Sequence, residues 1–230
     1  MKIIGHRGAC GHEPENTLAS FKKALELGVD MIELDVYSLK DGELVVIHDD
    51  KVDRTTNGTG YVADFIFEEL RSLDAGNGEK IPLLGEVLDL INGQVPVNIE
   101  LKGVGTAGHV AKLINRYRTE KRWPNDLFLV SSFNHVELAE FTRHMPAIKT
   151  GALIVGIPLT YAAFAQELGS VSVNLDAEFI TREFVEDAHE RNLEVFVFTV
   201  NDERDVRRLR DLGVDGIFSN FPDRARAYLA

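Results

Sequence analysis

The chain predicts an α/β fold, a (β/α)8 TIM barrel with a short insertion after the second barrel strand. Three observations carry that expectation. After residue 94, short apolar runs alternate regularly with helical stretches, the pattern of a parallel sheet covered by helices. Two more runs near the N-terminus raise the number of strand–helix units to eight. Finally, 230 residues with 44% apolar content and no linker or low-complexity segment fit a single domain spanning residues 1–230. A doubly wound open sheet is the competing arrangement.

Taken in order, KIIGHR (2–7) is the first strand and leads to a helix from about Asn16 to Leu27. MIELDV (31–36) is the second. VPVNIELK (95–102), LFLVSSF (127–133), KTGALIV (149–155), VSVNLD (171–176), EVFVFTV (194–200) and GIFSN (216–220) supply the other six. Helices are expected near 106–121, 134–144, 159–168, 181–191 and 202–212, with a last one from Pro222, a residue suited to a first helical turn. Asn16, Asn134, Thr181 and Asp202 read as N-caps, with Glu137 and Asp205 as capping partners or favourable first-turn charges. Residues 50–92 are the insertion: a polar loop, RTTNGTG (54–60), and two short helical patterns at 67–73 and 85–91.

The stretch from Ile32 to Asp49 adds an ornament to the second strand. Its Asp41-Gly42 dipeptide signals a two-residue hairpin loop. That loop sets Lys40 opposite Glu43, Leu39 opposite Leu44, and Asp35 opposite His48. Glu33 and Asp35 share a strand face by alternation, so this register gathers a Glu-Asp-His cluster.

Composition narrows the function classes. With 25 basic and 37 acidic residues, the formal charge is −12, which argues against nucleic-acid binding by bulk electrostatics. No apolar run approaches a membrane span, and MKIIGHRG lacks the apolar core of a secretory signal. No membrane anchor is therefore expected. The single Cys10 precludes an intrachain disulfide and suits the reducing cytoplasm.

In a (β/α)8 barrel the chemistry sits where strands end. His6 and Arg7 end the first strand, Glu33 and Asp35 the second, and Glu100 and Lys102 the third. Three carboxylates around one cavity repel one another by about 4 kcal/mol per pair at ~4 Å and an effective dielectric of ~20. They must take up protons or hold a cation. An all-oxygen set favours a hard divalent ion, Mg²⁺ or Ca²⁺. His6 and His48 then remain as a general acid–base pair, and Arg7 and Lys102 can hold an anionic substrate. This equipment suits phosphoryl transfer.

GHRG (5–8), PENT (14–17), IELDV (32–36), His48-Asp49, RTTNGTG (54–60), IELK (99–102) and FTVN (198–201) together resemble the glycerophosphodiester phosphodiesterase family. The motifs span nearly the whole chain. The resemblance implies hydrolysis of small-molecule glycerophosphodiesters to sn-glycerol 3-phosphate and an alcohol, with one divalent cation. It implies His6 and His48 as the acid–base pair; His6 is taken as the base and His48 as the acid, with the reverse order left open by the sequence. It also implies Glu33, Asp35 and Glu100 as metal ligands and Arg7 and Lys102 as phosphate contacts. Two positions depart from the family: many members carry Trp at Phe198 and Asp at Asn220. Neither is expected to touch the metal or the histidines, and the first bears on substrate preference.

Blander roles compete at several positions. Arg7 could serve only as an ion-pair partner, and Lys102 could only neutralise Glu100. Phe133 and Phe198 fit barrel packing as well as a substrate wall. RTTNGTG lacks the Gly-Lys-Ser/Thr of a phosphate loop and reads as a rim-shaping turn. His12, His109, His135, His144 and His189 have no acidic cluster beside them and read as surface or structural, and Cys10 has no base nearby in sequence. Two alternatives to the phosphodiesterase reading stand. One is a lysophospholipase D-like hydrolase, which would favour an extended apolar rim. The other is a glycerophosphodiester-binding protein, which would need no histidine pair.

Overall fold

A computed structural model describes residues 1–229. Eight parallel strands close into a barrel: β1 (Lys2–Gly5), β2 (Met31–Ser38), β4 (Val97–Leu101), β5 (Phe128–Ser132), β6 (Lys149–Ile154), β7 (Ser172–Asp176), β8 (Glu194–Phe198) and β9 (Gly216–Ser219). β1 pairs with both β9 and β2, which closes the ring. β3 (Leu44–Val46) lies antiparallel to β2 at residues 36–38. β1 pairs with β2 only at Met31 and Ile32, so the upper edge of β2 is free for β3.

The helices are α1 (Leu18–Glu26), α2 (Phe67–Ser72), α3 (Leu84–Ile91), α4 (Thr106–Glu120), α5 (His135–His144), α6 (Ala163–Glu167), α7 (Arg182–Glu190), α8 (Glu203–Leu212) and α9 (Pro222–Leu229). Alternation divides each strand between two environments. Ile32, Leu34 and Val36 of β2 and Val97, Ile99 and Leu101 of β4 pack outward against the helices. Ile4, Met31, Leu129, Phe196 and Phe218 fill the barrel floor. Above that floor the interior turns polar: Glu33, Asp35, Asn98, Glu100, Ser131 and Asn174 are all buried. Burial of polar groups without partners costs several kcal/mol each, roughly, and three of these, Glu33, Asn98 and Glu100, line one cavity.

The insertion, residues 50–92, lies between β3 and β4 and has a small core of its own. Val52, Val62, Leu70, Ala75 and Ile81 pack with Leu39, Val45 and Ile47 of the hairpin. Asn134 and Thr181 cap their helices as expected. Asp202 occupies the N-cap position without a side-chain cap bond. Glu137 does not cap its own helix end; its carboxylate accepts from Gly105 N and Ala107 N at the start of α4. The sixth helix is shorter than expected, because residues 159–162 form a turn ahead of Ala163.

Two local expectations are corrected. Thr17, not Asn16, caps α1, its hydroxyl accepting from Ser20 N at 3.3 Å. Asn16 has φ +58° and turns inward to the second strand. The hairpin register is also displaced by one residue: Val36 pairs with Val46 and Ser38 with Leu44. Leu39 N donates to Glu43 O at 2.8 Å, so the loop is Lys40-Asp41-Gly42. Gly42 takes φ +89° but Asp41 does not adopt positive φ. A two-residue turn would need both, whereas a type I turn ending in a left-handed glycine needs only the second. Asp35 is therefore opposite Ile47, whose N donates to Asp35 O at 3.0 Å, and not opposite His48. A one-residue slip exchanges faces, so the local argument for the Glu-Asp-His cluster fails.

Candidate active site

A cavity of about 150 Å³ opens at the C-terminal ends of the barrel strands. His6, Arg7, Glu33, His48, Asn98, Glu100, Phe133 and Phe198 line it, with Leu153, Thr199 and Phe218. His48 thus reaches the site by a route the hairpin argument did not supply: the ladder ends at Val46, and the chain bends through residues 48–50.

The GHRG segment explains itself here. Arg7 has φ +51° and its N donates to Glu33 Oε2 at 2.8 Å. Its carbonyl accepts from Asn16 N and from Ser20 Oγ. Gly8, at φ +84°, lies so close to α1 that a Cβ would meet the Ser20 backbone carbon at 2.6 Å. Backbone strain of this kind persists where the surroundings over-determine it, and it aims Arg7 into the barrel.

Glu33, Asp35 and Glu100 are all buried and can place one oxygen each within 4.8 Å of the others. β2 and β4 set them side by side, with Glu33 in register with Asn98 and Asp35 with Glu100. Burial, then Asp35 and Glu100, pushes the Glu33 carboxyl well above its usual range. Burial and Asp35 push Glu100 up to about 7. Asp35 accepts from Asn16 Nδ2 at 2.9 Å through Oδ2, while its buried Oδ1 has no hydrogen-bond partner. An orphaned carboxylate oxygen beside two raised carboxyls fits a hard divalent cation, and the all-oxygen donor set fits it as well.

Two cations border the cluster. Arg7 Nε lies 3.3 Å from Asp35 Oδ2, and its Nη1 donates to Glu15 at 2.8 Å. Lys102 Nζ donates to Glu100 Oε1 at 2.7 Å and lies 3.7 Å from Asp35 Oδ1. Burial opposes its charge, but Glu100 and Asp35 outweigh it and raise the Lys102 pKa. Lys102 does not line the cavity itself; it backs Glu100.

The two histidines are held differently. His6 Nδ1 lies 2.7 Å from Asn220 Oδ1, and Cys10 Sγ donates to the same oxygen at 3.1 Å. An amide oxygen only accepts, so His6 carries its proton on Nδ1 and leaves Nε2 with a free lone pair. Burial and the Arg7 charge lower its pKa to about 4. His48 Nδ1 instead meets the Asp49 carboxylate at 2.6 Å. The expectation that Asn220 stands away from the histidines is therefore wrong: the end of β9 returns beside β1, a closure no local pattern reveals.

Phe198 meets Phe133 edge-to-face at 5.7 Å, forming the apolar wall. Burial pushes the Cys10 thiol up to about 12, which leaves it a poor nucleophile. The remaining histidines lie outside the cavity lining. His12 meets Asp223, His135 the Leu153 carbonyl, His144 Glu140 and His189 Asp215, while His109 meets Ser38. Glu15, Asn98 and Asp49 carry no clear signal as site groups in the sequence, while Asn16, expected as a cap with site contact as the alternative, makes that contact at Asp35. Glu15 and Asn16 lie within PENT, and Asp49 follows His48 directly.

A closed parallel barrel with carboxylates, cations and histidines converging at its C-terminal mouth defines a (β/α)8-barrel enzyme. Residues 6–224 match the model of the glycerophosphoryl diester phosphodiesterase family, and the chain belongs to that family. A glycerophosphodiester phosphodiesterase of Caldanaerobacter subterraneus subsp. tengcongensis is 41% identical, the match covering 96% of this chain and 94% of that one. An Oleispira antarctica phosphodiesterase, solved with the product sn-glycerol-3-phosphate, superposes with a TM-score of 0.92 at 32% identity, covering 100% of this chain and 96% of that one. Among the described residues, no helix is long and apolar enough to cross a membrane.

Proposed function

We propose that this chain hydrolyses glycerophosphodiesters to sn-glycerol 3-phosphate and an alcohol, using a divalent cation and a His6–His48 acid–base pair. The observation that carries the reading is the convergence of His6, His48, Arg7, Glu33 and Glu100 on one cavity. Glu33, Asp35 and Glu100 would hold Mg²⁺ or Ca²⁺, which when bound neutralises phosphate charge and polarises the phosphorus centre. Arg7 Nη2, which takes no side-chain hydrogen bond among the described residues, is available for a phosphate oxygen. Lys102 keeps Glu100 and Asp35 compensated and adds positive potential to the same side.

The unlike partners of the histidines support the division of labour. His6, neutral with Nε2 unprotonated, removes the proton of the nucleophile. His48, whose Nδ1 is held by the Asp49 carboxylate, protonates the leaving alcohol. Phe133 and Phe198 exclude water beside the substrate's carbon skeleton. The reading takes residues 1–230 as one domain, supported by a sheet that runs from Lys2 to Ser219. The single Cys10 supports a cytoplasmic setting.

A second reading, lysophospholipase D-like hydrolysis, is favoured by one observation. Val104, Phe133, Val155, Ile157 and Leu159 are exposed on three consecutive loops, those following β4, β5 and β6, and Val136 is exposed on the first turn of α5. A "Lysophospholipase D" of Homo sapiens is 26% identical over 99% of this chain, well below the match to the phosphodiesterase above. One assay separates the readings: glycerophosphocholine and lysophosphatidylcholine, each with and without EDTA. EDTA-sensitive turnover of the first alone is expected. Binding without product would overturn the enzyme reading, and preferred turnover of the second would establish the lipid one.

A further inference from the structure

Arg54, from the RTTNGTG segment of the insertion, joins two parts of the site, Arg7-Glu15 and His48-Asp49, that share no hydrogen bond or ion pair among the described residues. Its Nε and Nη2 donate to Asp49 at 2.6 and 3.0 Å, and Asp49 in turn holds His48. Its Nη1 and Nη2 donate to Glu15 at 2.8 Å each, and Glu15 accepts from Arg7. One guanidinium therefore forks to two carboxylates at once. The groups alternate in charge along Asp35, Arg7, Glu15, Arg54 and Asp49, and Asp49 meets His48 Nδ1 at the end of the chain. The Glu15 and Asp49 pairs raise the Arg54 pKa further, against the cost of its burial.

The loop that delivers Arg54 is built to be stiff. Thr56 Oγ1 donates to Val52 O and accepts from Gly58 N. Asn57 and Asp74 exchange hydrogen bonds, Asn57 N to Asp74 O and Asp74 N to Asn57 Oδ1. Gly60 N is fastened by Asp53, and Val52 is fully buried in the insertion's own core. Functional groups held on rigid elements keep their geometry better than groups on free loops.

We propose that Arg54 is a positioning residue: it fixes His48 through Asp49 and Arg7 through Glu15, so the insertion sets the distance between the proton-donating and phosphate-holding sides of the site. This rests on the roles proposed above for His48 and Arg7. Lysine cannot replace it, because one ammonium lacks the planar fork that serves two carboxylates.

The test uses the full chain with Mg²⁺ or Ca²⁺ and glycerophosphocholine as substrate. R54M and R54K are each expected to lower kcat by about tenfold or more and to raise KM, since both sides of the site loosen. Millimolar guanidinium is expected to restore about fivefold or more of the loss in R54A, where it refills the vacated fork. E15Q/R54M is expected to be no worse than the poorer single variant, as for groups acting in one chain. Values for R54K within about twofold of wild type, or a loss that guanidinium leaves untouched while the melting temperature holds, would overturn the proposal. Should wild type turn over no glycerophosphodiester, the function reading fails, and the Nδ1–H resonance of His48 decides this one. It is expected to be slow to exchange in wild type and fast in R54K; equal protection in both would sink the idea.

Discussion

His6 Nδ1 lies 2.7 Å from Asn220 Oδ1, so an amide and not a carboxylate orients the buried imidazole. An amide fixes the tautomer without adding charge, which agrees with a His6 pKa lowered to about 4 by burial and Arg7. Asn220→Asp places a negative charge at that contact. The acidic limb of kcat/KM, measured at saturating cation, is expected to rise by about 1–3 pH units. Asn220→Ala loses the tautomer control and is expected to lower kcat by about tenfold or more without that displacement. An unchanged profile in Asn220→Asp would remove His6 as the base.

His6→Ala and His48→Ala should each reduce kcat by about 10²–10⁴-fold, the range for a lost general acid or base. They differ with the leaving group. A substrate whose alcohol leaves without protonation, such as a nitrophenyl ester, is expected to bypass His48 but not His6. Equal losses on both substrates would contradict the assignment of the two roles.

Cation affinity should depend on pH through the same carboxylates. With Glu100 raised to about 7 and Glu33 raised well above its usual value, both must lose protons to bind a metal. Calorimetric affinity for Mg²⁺ or Ca²⁺ is expected to fall as pH drops below 7, by about tenfold per pH unit for each carboxyl that must deprotonate, with proton release on binding. A flat affinity from pH 5 to 8 would exclude these groups as ligands.

The metal-free protein carries the stability counterpart. A carboxyl whose folded pKa lies near 7, against 4.5 for the free side chain, adds stability below pH 4.5 that is lost as pH rises through 7. His6 acts in the opposite sense: its depressed pKa adds stability above 6.5 that is lost as pH falls through 4. Comparing Glu100→Gln with wild type isolates the first effect. Without metal, the variant should gain stability relative to wild type as pH rises from 4.5 to 8, because it lacks the carboxyl that burial and Asp35 hold protonated. Chemical denaturation at the two pH values measures it.

The apolar wall can be probed at Phe198, which meets Phe133 edge-to-face at 5.7 Å. Phe198→Trp is expected to change KM among glycerophosphodiesters of different alcohols by more than it changes kcat for any one of them. A uniform loss of kcat across substrates would instead assign Phe198 to barrel packing.

Several parts of this protein were legible in the sequence because their cause is local. Strand periodicity placed Glu33 and Asp35 on one face of β2, and the same rule placed Glu100 of β4 on one side with Lys102, just past the strand's end. The eight strand–helix units, the insertion and the caps at Asn134 and Thr181 also follow from short-range patterns. Hairpin register and the Asn16 cap were the local inferences that failed: Asp41 avoids the positive φ that a two-residue turn demands, and Thr17 caps α1 while Asn16 turns to Asp35. Tertiary structure alone decided the rest. Barrel closure through β1 and β9 brought Asn220 to His6 across 214 residues, and the insertion's own core carried Arg54 back to Glu15 and Asp49. Side-chain periodicity is set by the backbone within a few residues, whereas the partners that fix a proton or a charge are chosen by contacts between distant segments. The sequence by itself determined which groups could do the chemistry; the closed barrel decided which neighbour holds each of them.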